Sequence, residues 1–137
     1  MPKLLVIDDD QETCEYIKEF FELRKYVVLT ADSGQKGLAI IKEQKPDLTL
    51  LDVNMEVMNG LEVLKKIKQY DPGAKVIMVT VASDDDTRQK ARELGADDFV
   101  RKPIHRDYLE GTVLLKVAAL IRERKKKNAD AKDPDSR

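Results

Sequence analysis

The sequence predicts an α/β fold with a buried parallel sheet and helices on both of its faces. Three observations lead there. Five short apolar runs recur along the chain, and segments of helical period separate them. The runs are rich in Val, Ile and Leu and do not alternate with polar residues, the pattern of strands covered on both faces. Strand–helix repeats of this kind imply right-handed crossovers and a three-layer sandwich.

The first strand is read at 4–7, within LLVIDDD. A helix over 10–25 follows, with Cys14, Ile17 and Phe21 on one stripe. The second strand, 27–30, leads to a helix over 34–44 carrying Leu38 and Ile41. The third strand, 48–51, leads to a helix over 60–70 carrying Leu61, Leu64 and Ile67. The fourth strand, 76–79, leads to a helix over 85–95 that Gly95 closes. A short fifth strand, 99–100, precedes a last helix from near His105 past Ile121. Lys45-Pro46-Asp47, Asp71-Pro72-Gly73 and Lys102-Pro103 are the turn signals between elements. From Arg122 the chain is almost wholly polar, so a domain is expected over 1–121. The tail, 122–137, reads as the end of the last helix and then a disordered dozen residues.

Bulk properties exclude several function classes. Lys and Arg number 25 and Asp and Glu 26, a net charge of −1 at pH 7. Direct nucleic-acid binding by this chain is not expected, because it would need a basic excess. A single cysteine, Cys14, rules out an internal disulfide and a cysteine-based zinc site. No apolar run approaches the 18 or so residues of a membrane span, and the N-terminus lacks a signal-peptide pattern. A cytoplasmic protein without a membrane segment is the expectation.

The chemistry gathers at the strand ends. In open α/β sheets, ligands bind outside the carboxyl ends of the strands. The first strand runs into Asp8, Asp9 and Asp10; the third ends on Asp52, the fourth on Thr80 and the fifth at Lys102. Like charges about 4 Å apart repel by about 4 kcal/mol at an effective dielectric near 20, so adjacent carboxylates there need an offset. A hard divalent cation with oxygen ligands supplies one, and Mg²⁺ or Mn²⁺ suits one or two carboxylates plus a phosphate. Asp52 would then act as a nucleophile forming an acyl phosphate, with Lys102 pairing the phosphoryl oxygens and Thr80 donating to them.

The motifs LLVIDDD, PDLTLLDVNMEVMNG, KVIMVT and FVRKPI, in this order and spacing, resemble the receiver domain of two-component response regulators. The resemblance covers about residues 2–121. It implies a flavodoxin-like (βα)5 fold with strand order 2-1-3-4-5. It implies that Asp8, Asp9, Asp52 and the backbone carbonyl of Asn54 hold the metal and that Asp52 is phosphorylated. Thr80 and Lys102 would bind the phosphoryl group, Phe99 would be the switching aromatic, and the bond to Pro103 would be cis. The implied partner is a sensor histidine kinase or phosphotransfer protein. The implied output is a change in the surface of the fourth helix, fifth strand and last helix, which also offers a homodimer face. Such a protein is a phospho-accepting switch that promotes its own phosphorylation and dephosphorylation, without a turnover substrate.

Some positions depart from the family pattern. The loop after Asp52 reads Met55-Glu56-Val57-Met58-Asn59-Gly60, without the usual proline and with an added charge at Glu56. Val81 replaces a small residue, and Asn54 and Ala82 occupy positions that tune hydrolysis in the family. Two other readings compete. Asp8-x-Asp10 also resembles the nucleophile motif of haloacid-dehalogenase-like phosphatases, with Thr80, Lys102 and Asp97 or Asp98 as partners, but this leaves Asp52 unexplained. A degenerate receiver would act as an interaction module without phosphorylation.

Plainer roles suit the remaining residues. Asp10 reads as the cap of the first helix, and Asp84-Asp85-Asp86 as capping for the fourth. Asp97 and Asp98 read as loop residues, and Cys14 as a packed small hydrophobe. On the last helix, Leu109, Val113, Val117, Leu120 and Ile121 face the sheet, leaving Leu114, Leu115 and Ala118 for another surface.

Overall fold

Strands β1 (Lys3–Ile7), β2 (Val27–Ala31), β3 (Leu48–Asp52), β4 (Val76–Val81) and β5 (Asp98–Lys102) pair in parallel in the order β2-β1-β3-β4-β5. The structure, a computed structural model, describes residues 1–81 and 85–132, with side chains described up to residue 127. The helices are α1 (Gln11–Glu22), α2 (Gly34–Gln44), α3 (Gly60–Tyr70) and α4 (Asp85–Glu93). The last helix, α5, has three parts: a turn at Arg106–Tyr108, a π-helical turn at Leu109–Val113 and an α-helix at Leu114–Lys132. This is the flavodoxin-like arrangement, with the reversal of strand order between β1 and β3.

Each strand serves two cores. Leu4 and Val6 pack with α1 and α5 residues such as Ile17, Phe21 and Val113. Leu5 and Ile7 pack on the opposite face with Leu64 and Ile67 of α3 and Ala91 of α4. The period-two alternation of side chains, applied to an unbroken apolar run, therefore fills both layers. Full burial of each such side chain is worth about 1.5–3 kcal/mol. The outer strands are less covered than their sequences suggest: Val27 and Thr30 of β2 are exposed, and β5 buries only Val100 fully. An edge strand lacks a neighbour on one side, and its helices cover it incompletely.

Local chemistry sets the helix ends. Asp10, Ser33 and Asn59 each accept a hydrogen bond from a backbone N–H in the first turn of α1, α2 and α3. Left-handed residues follow three helices: Lys25 (φ 70°), Lys45 (φ 48°) and Gly95 (φ 101°). α1 thus stops at Glu22, and α4 at Glu93, slightly inside the predicted ends. The last helix departs furthest from expectation. It opens through a π turn and continues to Lys132, well beyond the point where the composition turns polar.

Ion pairs explain that persistence in part. Glu123 accepts from Lys75 Nζ at 2.9 Å, and Arg124 bonds Asp71 Oδ2 at 3.1 Å and the Gly73 carbonyl at 3.2 Å. These contacts fasten α5 to the N-terminal edge of the sheet. Lys75 is itself buried and lies 3.7 Å from Asp97. Asp97 Oδ2 also accepts from Lys68 Nζ and from the Val76 N–H, each at 2.9 Å. Asp97 and Asp98 are therefore not solvated loop residues: Asp97 centres a charge cluster, and Asp98 opens β5 and pairs with Lys116 at 3.1 Å. Sequence gave no sign of this, because the lysines that meet Asp97 come from two distant segments.

Removing the charge of Asp97 leaves the Lys68 ammonium without a carboxylate and Lys75 with Glu123 alone. Asp97→Asn is expected to lower stability by about 2–3 kcal/mol, read as a lower urea midpoint with an unchanged slope.

Candidate functional site

Register brings the acidic residues level. Ile7 of β1 pairs with Leu51 of β3, so the next residues, Asp8 and Asp52, emerge side by side at the switch point. Both are 2% exposed, whereas Asp9 is exposed at the rim. One carboxylate oxygen from each of Asp8, Asp9 and Asp52 lies within 4.8 Å of the others. On the far side, Val81 of β4 pairs with Lys102 of β5. Lys102 Nζ reaches back over the sheet edge to Asp52 Oδ2 at 3.2 Å and Asp8 Oδ2 at 3.4 Å.

The loops hold these groups in place. Asp8 Oδ1 accepts from the Asp10 N–H at 2.9 Å, and Asp52 Oδ1 from the Asn54 N–H at 3.2 Å. The Cys14 thiol donates to the Asp8 carbonyl at 3.3 Å, and burial raises its pKa to about 11, so it stays a neutral packing group. Gly60 begins α3 hard against the end of β3. A Cβ there would collide with the Asp52 carbonyl oxygen and lie 2.6 Å from Val53 Cα. The sequence shows Gly60 only as part of an Asn-Gly helix start; that its missing side chain seats Asp52 is a tertiary fact.

The remaining predicted residues fall around this centre. Thr80 is buried, and its hydroxyl donates to the Val81 carbonyl at 3.4 Å. The Lys102–Pro103 bond is cis. Phe99 is half-buried on β5, level with Met78 of β4. Val81 is exposed and lines a cavity of about 560 Å³ with Asp10, Thr13, Tyr16, Lys102 and Pro103. Val57 and Glu56 project into solvent from the loop after Asp52. Asp10 stands apart: its carboxylate accepts from Glu12 N and Thr13 Oγ1 as the α1 cap. The phosphatase reading, which needs Asp10 beside Asp8 in the reaction, therefore loses its second carboxylate. Ala82 and Asp84 lie outside the described residues.

Electrostatics distinguish the groups. Burial, and then the adjacent Asp8 charge, push Asp52 up to about 6, with Lys102 pulling against them. For Lys102 burial acts downward, but the Asp52 and Asp8 carboxylates outweigh it and raise its pKa, so it stays charged. Around neutral pH the site holds an ionised, unusually basic carboxylate beside a fixed ammonium. A cluster of three carboxylates with a single ammonium carries excess negative charge. Such a donor set fits a hard divalent cation.

A parallel five-stranded α/β domain with an acidic pocket and a lysine at its switch point is the architecture of a signalling receiver. The family model for the response regulator receiver domain matches residues 4–114, and the chain belongs to that family. It is 34% identical over 132 residues to the transcriptional regulatory protein AfsQ1 of Streptomyces coelicolor, covering 96% of this chain and 56% of that protein. It is 33% identical over 121 residues to a cyclic di-GMP phosphodiesterase of Thermotoga maritima, covering 88% of this chain and 31% of that one. The chain thus spans between about a third and just over half of these relatives. A CheY-like response regulator receiver domain protein from Methanospirillum hungatei superposes with a TM-score of 0.82 at 31% identity, covering 93% of this chain and 98% of that one. Receiver domains are phospho-accepting switches of two-component systems that interact with histidine kinases or phosphotransfer proteins. No helix among the described residues is long and apolar enough to cross a membrane.

Two outcomes follow from the packing and charge at Asp52. Gly60→Ala forces the end of β3 away from α3 and is expected to cost about 2 kcal/mol or more, read by urea denaturation. Asp52 has a folded pKa above its unfolded value near 3.9, so the folded state holds more protons between about pH 4 and 6. Stability without added metal should therefore rise as pH falls from 7 toward 5. Asp52→Asn should raise the melting temperature at pH 7 in EDTA and remove that part of the pH dependence.

Proposed function

We propose that this chain accepts a phosphoryl group on Asp52 from the phosphohistidine of a sensor kinase or phosphotransfer protein. The observation that carries this reading is the buried Asp52 carboxylate, raised in basicity and 3.2 Å from the Lys102 ammonium. An Asp52 oxygen attacks phosphorus in line. The new O–P bond forms as the P–N bond breaks, and the departing imidazole takes the electron pair. Lys102 follows the charge from the carboxylate onto the phosphoryl oxygens, a shift its reach across the site permits. Thr80, one strand over, turns its hydroxyl from the Val81 carbonyl to the phosphoryl group. Asp8, Asp9, Asp52 and the Asn54 carbonyl would hold Mg²⁺ or Mn²⁺, which when bound supplies positive charge against the phosphoryl oxygens. The cavity flanked by Tyr16, Val81 and Pro103 opens beside Lys102 and gives a donor access to the acceptor.

The phosphorylated aspartate adds about −1.5 to −2 charge, by analogy with other phosphorylated side chains, to a pocket already rich in carboxylate. Movement of Thr80 vacates space on the sheet edge, and Phe99 turns into it. The α4–β5–α5 surface then changes shape for a downstream partner, whose identity depends on chemistry outside this domain.

Incubation with acetyl phosphate and Mg²⁺ tests the assignment. One phosphoryl group should appear at Asp52 by peptide mapping and be absent with EDTA and in Asp52→Asn. Lys102→Met should slow its appearance at least tenfold while Mg²⁺ binding persists. Label at Asp8 with steady phosphate release would show a phosphatase instead.

A further inference from the structure

Phe99 is held from two sides by cations that no part of the phosphoryl chemistry uses. The guanidinium of Arg92, near the end of α4, lies 5.2 Å from the centre of the Phe99 ring. On the other side Lys116, from α5, donates to the Phe99 carbonyl at 2.6 Å and to Asp98 Oδ1 at 3.1 Å. Asp98 Oδ1 in turn accepts from the Phe99 N–H at 2.8 Å. Ring, carbonyl and N–H of one residue are thus each tied, and the ties come from α4, α5 and β5. Elsewhere β5 is loosely covered: only Val100 is fully buried, and Phe99 is half-buried against the core on the α4 side. The clamp sits on the least buried strand of the switching face.

We propose that Arg92 and Lys116 are positioning residues that hold Phe99 in its half-buried place and so set the resting balance of the switch. This rests on the reading of Phe99 as the switching aromatic. A cation over a ring face holds that face toward solvent, where the charged group stays hydrated. Arg92 cannot follow the ring under the sheet edge without losing that water, so inward rotation breaks the contact. Lys116 fixes the backbone from which the ring turns, and it links that backbone to α5. The Thr80 hydroxyl is meanwhile bonded to the Val81 carbonyl at 3.4 Å.

The test uses 4-fluorophenylalanine and ¹⁹F NMR on the full chain. The chain has three phenylalanines, and the Phe99 signal is assigned by its loss in Phe99→Leu. Beryllofluoride with Mg²⁺ serves as the phosphoryl mimic. In wild type the mimic should move the Phe99 signal to a new, buried position. Without the mimic, Arg92→Met, which keeps the aliphatic stem, should raise the inward fraction about two- to five-fold. Arg92→Lys should recover part of the loss, and Lys116→Met should also raise the inward fraction. Phosphorylation by acetyl phosphate should accelerate in the same order. If the wild-type signal ignores the mimic, the switch reading fails and takes the clamp with it. If it responds but Arg92→Met and Lys116→Met leave the Phe99 signal at the wild-type position, the clamp alone is overturned.

Discussion

The ammonium of Lys102, set between two buried carboxylates, is the contact on which the rest of the site depends. Asp8 and Asp52 are brought level by the pairing of β1 with β3, and both are removed from water. Their mutual repulsion at close range is of the order of several kcal/mol. One lysine within 3.4 Å of both offsets that repulsion but cannot cancel it, since the exposed Asp9 adds a third negative charge. Burial, and then the Asp8 charge, make Asp52 basic, and the residual imbalance makes the pocket receptive to a cation. A fully neutralised site would be a stable ion-pair cluster with nothing left to recruit.

The sheet has such a cluster at its other end. Asp97 receives Lys68, the Val76 N–H and the neighbourhood of Lys75, and Lys75 passes its charge on to Glu123. The same side-chain types are used at both edges, with opposite balance. At the base, cations and carboxylates alternate and each charge has a partner of opposite sign. At the top, carboxylates outnumber the ammonium. Function is concentrated where the charges are left unequal, and stability where they are matched.

Most of the frame was legible because its signals are local. Apolar runs marked all five strands, the fifth only as Phe99-Val100 within Asp98–Lys102, and Asp10, Ser33 and Asn59 mark helix starts through bonds made within one turn. The site positions were legible because topology puts every strand end on one edge, so Asp8, Asp52, Thr80 and Lys102 could be gathered without knowing a distance. What stayed hidden depends on partners far apart in sequence. Asp97 looked like a loop residue because Lys68 and Lys75 come from α3 and the loop before β4. The last helix also meets Arg24, Lys75 and Asp71 through Glu110, Glu123 and Arg124, contacts that a helical period does not encode. The role of Gly60 needed the approach of α3 to β3, and the hold on Phe99 needed both α4 and α5 in place.

The fastening of α5 has a mechanical reading. The helix leaves the upper rim just after Pro103 and is fastened to the opposite edge through Glu123 and Arg124. From Leu109 to Glu123 is about 20 Å at a rise near 1.5 Å per residue. Lys116 and the buried Val113 and Val117 also hold the helix between these points, so it would move as one body, and a shift of about 1 Å at the rim would be a tilt of about 3° over that length. Residues beyond Glu123 would then swing the opposite way, and the stretch to Lys132 would extend the lever by about 13 Å. On the proposed switch, the helix would carry a sideways displacement at one edge of the sheet into a counter-directed motion past the other.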